Sequence, residues 1–219
     1  SANTTSGFSI VSYTGTGSAA TVGHGLSQAP AIVIVKRRSS TGEWIVYSSV
    51  LGSGNGLKLN TTGASFTADA TVWNSTNPTS SVFSIGSAVD LNASGNTYIA
   101  YCFADVQGYS KFGSYTGNGN ADGTFVYTGF KPAMMIVKNT SIVRDWQIFD
   151  NKRLGYNVDN NYLFPNLSDA EGTADRVDFL SNGFKWRTDA NTYNASGNNY
   201  IYMAFAEEPL VGDNPATAR

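Results

Sequence analysis

The chain is poor in the residues that carry most enzyme chemistry. Its 219 residues include one cysteine, Cys102, and one histidine, His24. A single cysteine excludes an internal disulfide framework and a cysteine zinc site. Any Ser-His-Asp or Cys-His set would depend on the one ring between Gly23 and Gly25. Charge is scarce as well. Asp, Glu, Lys and Arg make up 14% of the chain, well below the usual quarter. Lys36-Arg37-Arg38 is the only basic run of three, which argues against nucleic-acid binding by phosphate neutralisation. No apolar run reaches the length of a membrane-spanning helix. Residues 1–7 are polar, without a signal-peptide pattern, and read as a flexible leader. No Walker-type or Gly-x-Gly-x-x-Gly loop stands between a strand and a helix.

Glycine, serine, threonine, asparagine and aromatic residues are plentiful instead, and they recur. Asn92-Ala93-Ser94-Gly95-Asn96-Thr97-Tyr98-Ile99 returns as Asn194-Ala195-Ser196-Gly197-Asn198-Asn199-Tyr200-Ile201. Ser12-Tyr13-Thr14-Gly15 returns as Ser114-Tyr115-Thr116-Gly117, and Trp44 as Trp146. The offset is 102 residues at each landmark. A period of that size marks a duplicated small domain. The matched tryptophans read as core.

Short apolar or alternating runs bounded by Gly and Asn predict strands over 8–13, 31–36, 43–48, 82–85 and 97–104, and again over 123–127, 133–138, 146–149, 176–180, 184–187 and 200–206. The run 97–104 is apolar on both faces and reads as a central strand. No stretch repeats apolar residues at three and four over three turns, so helix should be very scarce. The expected fold is all-β: two tandem, antiparallel β-sandwich (jelly-roll-like) units, each with its own core, the alternative being one larger sandwich built jointly by both copies. The first covers 8–106, the second 107–206, and 207–219 is a polar tail.

Acidic residues concentrate in the second copy, Asp145, Asp150, Asp169, Glu171, Asp175 and Asp178 among them. Paired carboxylates are all that glycoside hydrolysis needs, but no Glu-x-Asp or Glu-x-Glu strand motif accompanies them, so solvated surface is the favoured reading. Asp150-Asn151 and Asp159-Asn160-Asn161 offer oxygen ligands suited to calcium. They lack the EF-hand pattern, and such pairs commonly form turns. No metal or cofactor is assigned. Aromatic and amide-rich loops on an uncharged scaffold remain, and these suit sugar recognition. The candidates are Trp73, Trp186, Tyr109, Tyr156, Tyr162 and Tyr193, with Asp150, Asn151 and Arg153 as hydroxyl-binding partners.

The run Tyr109-Ser110-Lys111-Phe112-Gly113-Ser114-Tyr115-Thr116-Gly117-Asn118-Gly119, with Val126-Tyr127-Thr128-Gly129-Phe130-Lys131-Pro132-Ala133 and Asp178-Phe179-Leu180-Ser181-Asn182-Gly183-Phe184-Lys185, resembles an uncharacterised family of tailed-bacteriophage virion and tail proteins, DUF7483-like and common in marine phages. The resemblance extends over nearly all of the chain after Gly7. It implies a virion protein, partnered by other virion proteins and homotrimeric by analogy with phage fibres; the composition, as above, argues against nucleic-acid binding and membrane insertion. It carries no catalytic residues. The leading expectation is a distal tail-fibre or receptor-binding domain that adheres to host surface glycan without catalysis. A capsid-decoration or tail-assembly module is the alternative, and a polysaccharide depolymerase the third.

Overall fold

The computed structural model describes residues 1–153, 157 and 161–208. The chain forms two compact units. One comprises Ser1–Asn60 and Ser65–Asp105; the other takes Thr61–Ala64 and the chain from Val106 on. Regular structure is nearly all strand, as expected.

In the first unit the strands are β1 (Ala2–Asn3), β2 (Phe8–Thr14), β3 (Ala20–Gly23), β4 (Ile32–Arg37), β5 (Trp44–Ser48), β6 (Asn55–Lys58), β7 (Phe66–Thr67), β8 (Val82–Ile85) and β9 (Thr97–Phe103). Seven form one antiparallel sheet in the order β1-β2-β9-β4-β5-β6-β7, with β9 central between β2 and β4. The small β3–β8 sheet faces it. Two single-turn helices, α1 (Ala70–Trp73) and α2 (Val89–Asn92), complete that layer. Strand alternation decides the inner face. Val33, Val35, Ile45, Tyr47, Tyr98 and Ala100 from the large sheet meet Val22, Phe83 and Ile85 from the small one. Cys102 lies in this core with no exposed surface, and burial pushes its thiol up to about 12.

The second unit repeats the plan with β10 (Ser110–Thr116), β11 (Phe125–Tyr127), β12 (Pro132–Asn139), β13 (Gln147–Asp150), β14 (Asn161–Leu163), β15 (Gly172–Thr173), β16 (Val177–Leu180), β17 (Gly183–Trp186) and β18 (Asn199–Ala206). The large sheet runs β10-β18-β12-β13-β14-β15, and the small one β11-β17-β16. Met135, Val137, Phe149, Tyr200 and Tyr202 oppose Val126, Val177, Phe179, Phe184 and Trp186 in its core. In each unit the two layers are unequal.

The repeated sequence motif is a clasp that closes each unit. Asn92 and Asn194 have no exposed surface. The Asn92 side-chain oxygen accepts from Thr16 N–H at 2.7 Å, and its amide donates to the carbonyls of Ser18 (2.6 Å) and Gly86 (2.7 Å). Asn194 accepts from Asn118 N–H at 3.0 Å and donates to the carbonyls of Asn120 (2.8 Å) and Thr188 (3.0 Å). Beside each hub, two tyrosine rings stack. Tyr13 lies on Tyr98 at 5.1 Å, and Tyr115 on Tyr200 at 4.8 Å. The Tyr98 hydroxyl accepts from Ala93 N–H and donates to Val89 C=O; Tyr200 treats Ala195 and Asn191 the same way. Glycine is required where the clasp closes, because a Cβ at Gly15 or Gly117 would stand 2.2 Å from the carbonyl oxygen of Ala93 or Ala195. Buried polar groups this well satisfied specify one arrangement of their loops.

Candidate functional site

The structure places three of the six predicted sugar-binding aromatics where no ligand can reach them. Trp73, Trp186 and Tyr193 are 1%, 0% and 3% exposed, which corrects their assignment to accessible loops. Asp69 caps α1 by accepting Thr71 N–H at 2.8 Å, and the turn sends Trp73 inward, edge-on to Tyr47 at 5.6 Å. Trp186 ends β17 on its inner face, against Phe149, Phe184 and Tyr193 at 4.9–5.8 Å. Tyr47 and Phe149 occupy matched positions of the repeat, 102 residues apart. Each receives a tryptophan edge, from α1 in one unit and β17 in the other. The two tryptophans lack sequence mates because different elements fill the same part of the core. Trp146 is buried as expected, whereas Trp44 is half-buried, on the face opposite the core cluster, stacked on Tyr101 at 6.4 Å.

Tyr109 and Tyr162 are half-buried. Tyr109 packs edge-on against Phe205, and Tyr162 against Phe149 and Phe164. Tyr156, Asp159 and Asn160 lie outside the described residues.

Asp150, Asn151 and Arg153 do converge, but on one another and on nearby acids. One Asp150 oxygen accepts the N–H groups of Lys152 and Arg153, the turn-forming role of an Asp. The Arg153 guanidinium bridges Asp150 at 2.8 Å and Glu171, whose second oxygen accepts from Asn161 at 2.7 Å. Asn151 donates to Glu207 at 2.7 Å, and Glu207 pairs with Lys131 at 2.6 Å. These charges hold loops together. Among the described residues no group of His, Cys, Asp and Glu is arranged to hold a metal ion. His24 is occupied on both ring nitrogens: Nδ1 accepts from Leu26 N–H at 3.2 Å, which leaves Nε2 to donate to Thr79 C=O at 3.1 Å.

The surface that sequence reasoning missed is the outer face of β11-β17-β16. Phe125 and Tyr127 alternate with buried Val126 and are 45% and 66% exposed. The register sets Phe125 beside Lys185 and then Asp178, and Tyr127 beside Gly183 and then Leu180. Gly183 has no side chain to cover the rings. A Cβ there would stand 2.1 Å from Val126 C=O and 3.2 Å from the Phe125 ring. Lys185 pairs with Asp122 at 2.5 Å and holds its carboxyl below the usual carboxylate range. Arg187 pairs with Asp178.

The first unit has the same sheet without this surface. Val22 pairs with Phe83 as Val126 pairs with Phe184, so Thr21 and Gly23 take the places of Phe125 and Tyr127, and Ser84 that of Lys185. The equivalence Val22–Val126 is an offset of 104, because two extra residues enter before β11. A fixed offset of 102 sets His24 against Val126 and hides the contrast. The usable signal was Phe125-Val126-Tyr127 between Gly123 and Gly129: two large rings on one side of a three-residue strand.

Nothing among curated proteins or solved structures matches the chain. One family profile does, over residues 1–209, and its description, a domain of unknown function, names no phage or tail role. The chain therefore belongs to the DUF7483 family.

Proposed function

We propose that the chain is a non-enzymatic adhesion module that holds a surface glycan on the outer face of β11-β17-β16. The observation that carries this reading is the pair of exposed rings, Phe125 and Tyr127, on a sheet whose duplicate presents Thr21 and Gly23. Residues two apart on a strand lie about 7 Å from each other on one face, so both rings can meet neighbouring sugars of one chain. Strands of three, four and four residues make a face of about 13 by 10 Å, on the order of 130 Å². That is far below the roughly 800 Å² each partner gives to a stable protein interface, but enough for a short run of sugar rings. The virion setting, and adhesion to a bacterial host, rest on the resemblance given above.

The test is retention of the purified chain on bacterial surface polysaccharides, with released reducing ends scored in parallel. Retention without new reducing ends is expected. Phe125→Ala and Tyr127→Ala should each remove about 1 kcal/mol, roughly fivefold in Kd, by analogy with aromatic pairs, while Thr21→Ala changes nothing. Retention untouched by both aromatic substitutions, or accompanied by cleavage, would rule the proposal out.

A further inference from the structure

Resting on that reading of the face, we infer that the site selects uncharged glycans and rejects acidic ones, because its cations are already matched by its own acids. The four charged groups fall into two pairs, Lys185 with Asp122 and Arg187 with Asp178. The face therefore sums to zero. It is not inert, since a carboxylate bound to one cation keeps free lone pairs, and an ammonium bound to one acid keeps two N–H groups. A sugar hydroxyl both donates and accepts. Neighbouring hydroxyls on one ring can thus bridge the acid and the base of a pair while the ring lies on Phe125 or Tyr127. A uronate, sialate or phosphate finds no such match. An anion that takes the remaining N–H groups of Lys185 or Arg187 does so beside Asp122 or Asp178. The carboxylate already there repels the ligand's negative charge, whereas it can accept from a hydroxyl. Arg176 is turned toward the core instead, its guanidinium over the buried Tyr193 ring at 5.8 Å.

Affinity electrophoresis of the full chain through dextran, mannan, alginate and polysialic acid, at low and high sodium chloride, tests this. The neutral polymers should retain the wild type, with less than a twofold change on adding salt, as expected where no net charge is engaged. The anionic polymers should retain it at least tenfold more weakly. Asp122→Asn uncovers Lys185 at a side chain that is 77% exposed, so the fold should survive. This variant should gain salt-sensitive retention by alginate and polysialic acid. Stronger binding of the wild type to an anionic polymer, or no gain in Asp122→Asn, overturns the charge selection alone, provided that retention still depends on Tyr127. Loss of retention on all four polymers overturns the glycan reading itself. A self-associated state in light scattering that Tyr127→Ala dissolves would assign the face to a second copy and overturn both.

Discussion

Lys138 has no exposed surface, and its amine donates to the carbonyls of Thr62 at 3.0 Å and Arg144 at 2.5 Å. Its mate in the repeat, Lys36, is half-buried and reaches only the carbonyl of Arg37. Burial pushes Lys138 down from its ordinary 10.5 to about 8, and Asp145 opposes the shift. Between those values the unfolded chain binds more protons than the folded one, so stability contributed at this site rises with pH across that window. Comparing urea unfolding of the wild type and Lys138→Met, the difference should move in favour of the wild type between pH 7.5 and pH 9.5, by about 1 kcal/mol once solvent screening is allowed for. A difference that stays flat would mean that the amine keeps its ordinary affinity for protons. The sequence gives no hint of this, since the lysines are matched and their environments are not. Trp73 and Trp186 teach the converse: a residue without a mate need not be functional, because a core can be filled from either of two elements.

The elements were more legible than the residues on them. β9 sits inside the large sheet, between β2 and β4, as the apolar side chains on both its faces indicated. α1 was not legible, since four residues are too few to show a helical period, and only the Asp69 cap marks its start. β11 was visible as a strand, but its exposed rings were hidden by the two inserted residues. The clasp explains why the repeat is strongest at Asn92 and Asn194: buried amides aimed at backbone groups tolerate no other side chain. Gly117→Ala tests this element directly. Its new methyl would meet the Ala195 carbonyl, and overpacking of this kind destabilises by about 1–3 kcal/mol. Denaturant midpoints should fall accordingly, and because Gly117 is not among the positive-φ glycines the loss reports the clash alone. A Gly117→Ala midpoint equal to the wild type's would mean that the close approach is not what requires glycine at 117.

Across the whole molecule, two cores share a reliance on buried tyrosine. Burial raises Tyr13 and Tyr115 well above their ordinary value, and Tyr47 to about 12. Tyr193 is raised as well. The unfolded phenols ionise near 10. A raised folded value means that this stability is whole below about pH 10 and is lost as pH climbs beyond it. Ultraviolet difference absorbance should show these phenols titrating together with the loss of circular dichroism above pH 10. Complete ionisation near pH 10 with the fold intact would contradict the burial of both cores.

Cys102 is the chain's one thiol, and it sits mid-ladder between Ser9 and Val33 in the first unit. A soluble alkylating reagent has one place to react, and only once that half of the chain has opened. The labelling rate under native conditions therefore counts openings of the first unit, while the second half stays silent to the reagent. The wild-type sequence thus carries a built-in, half-specific reporter of its own breathing, with no engineered probe.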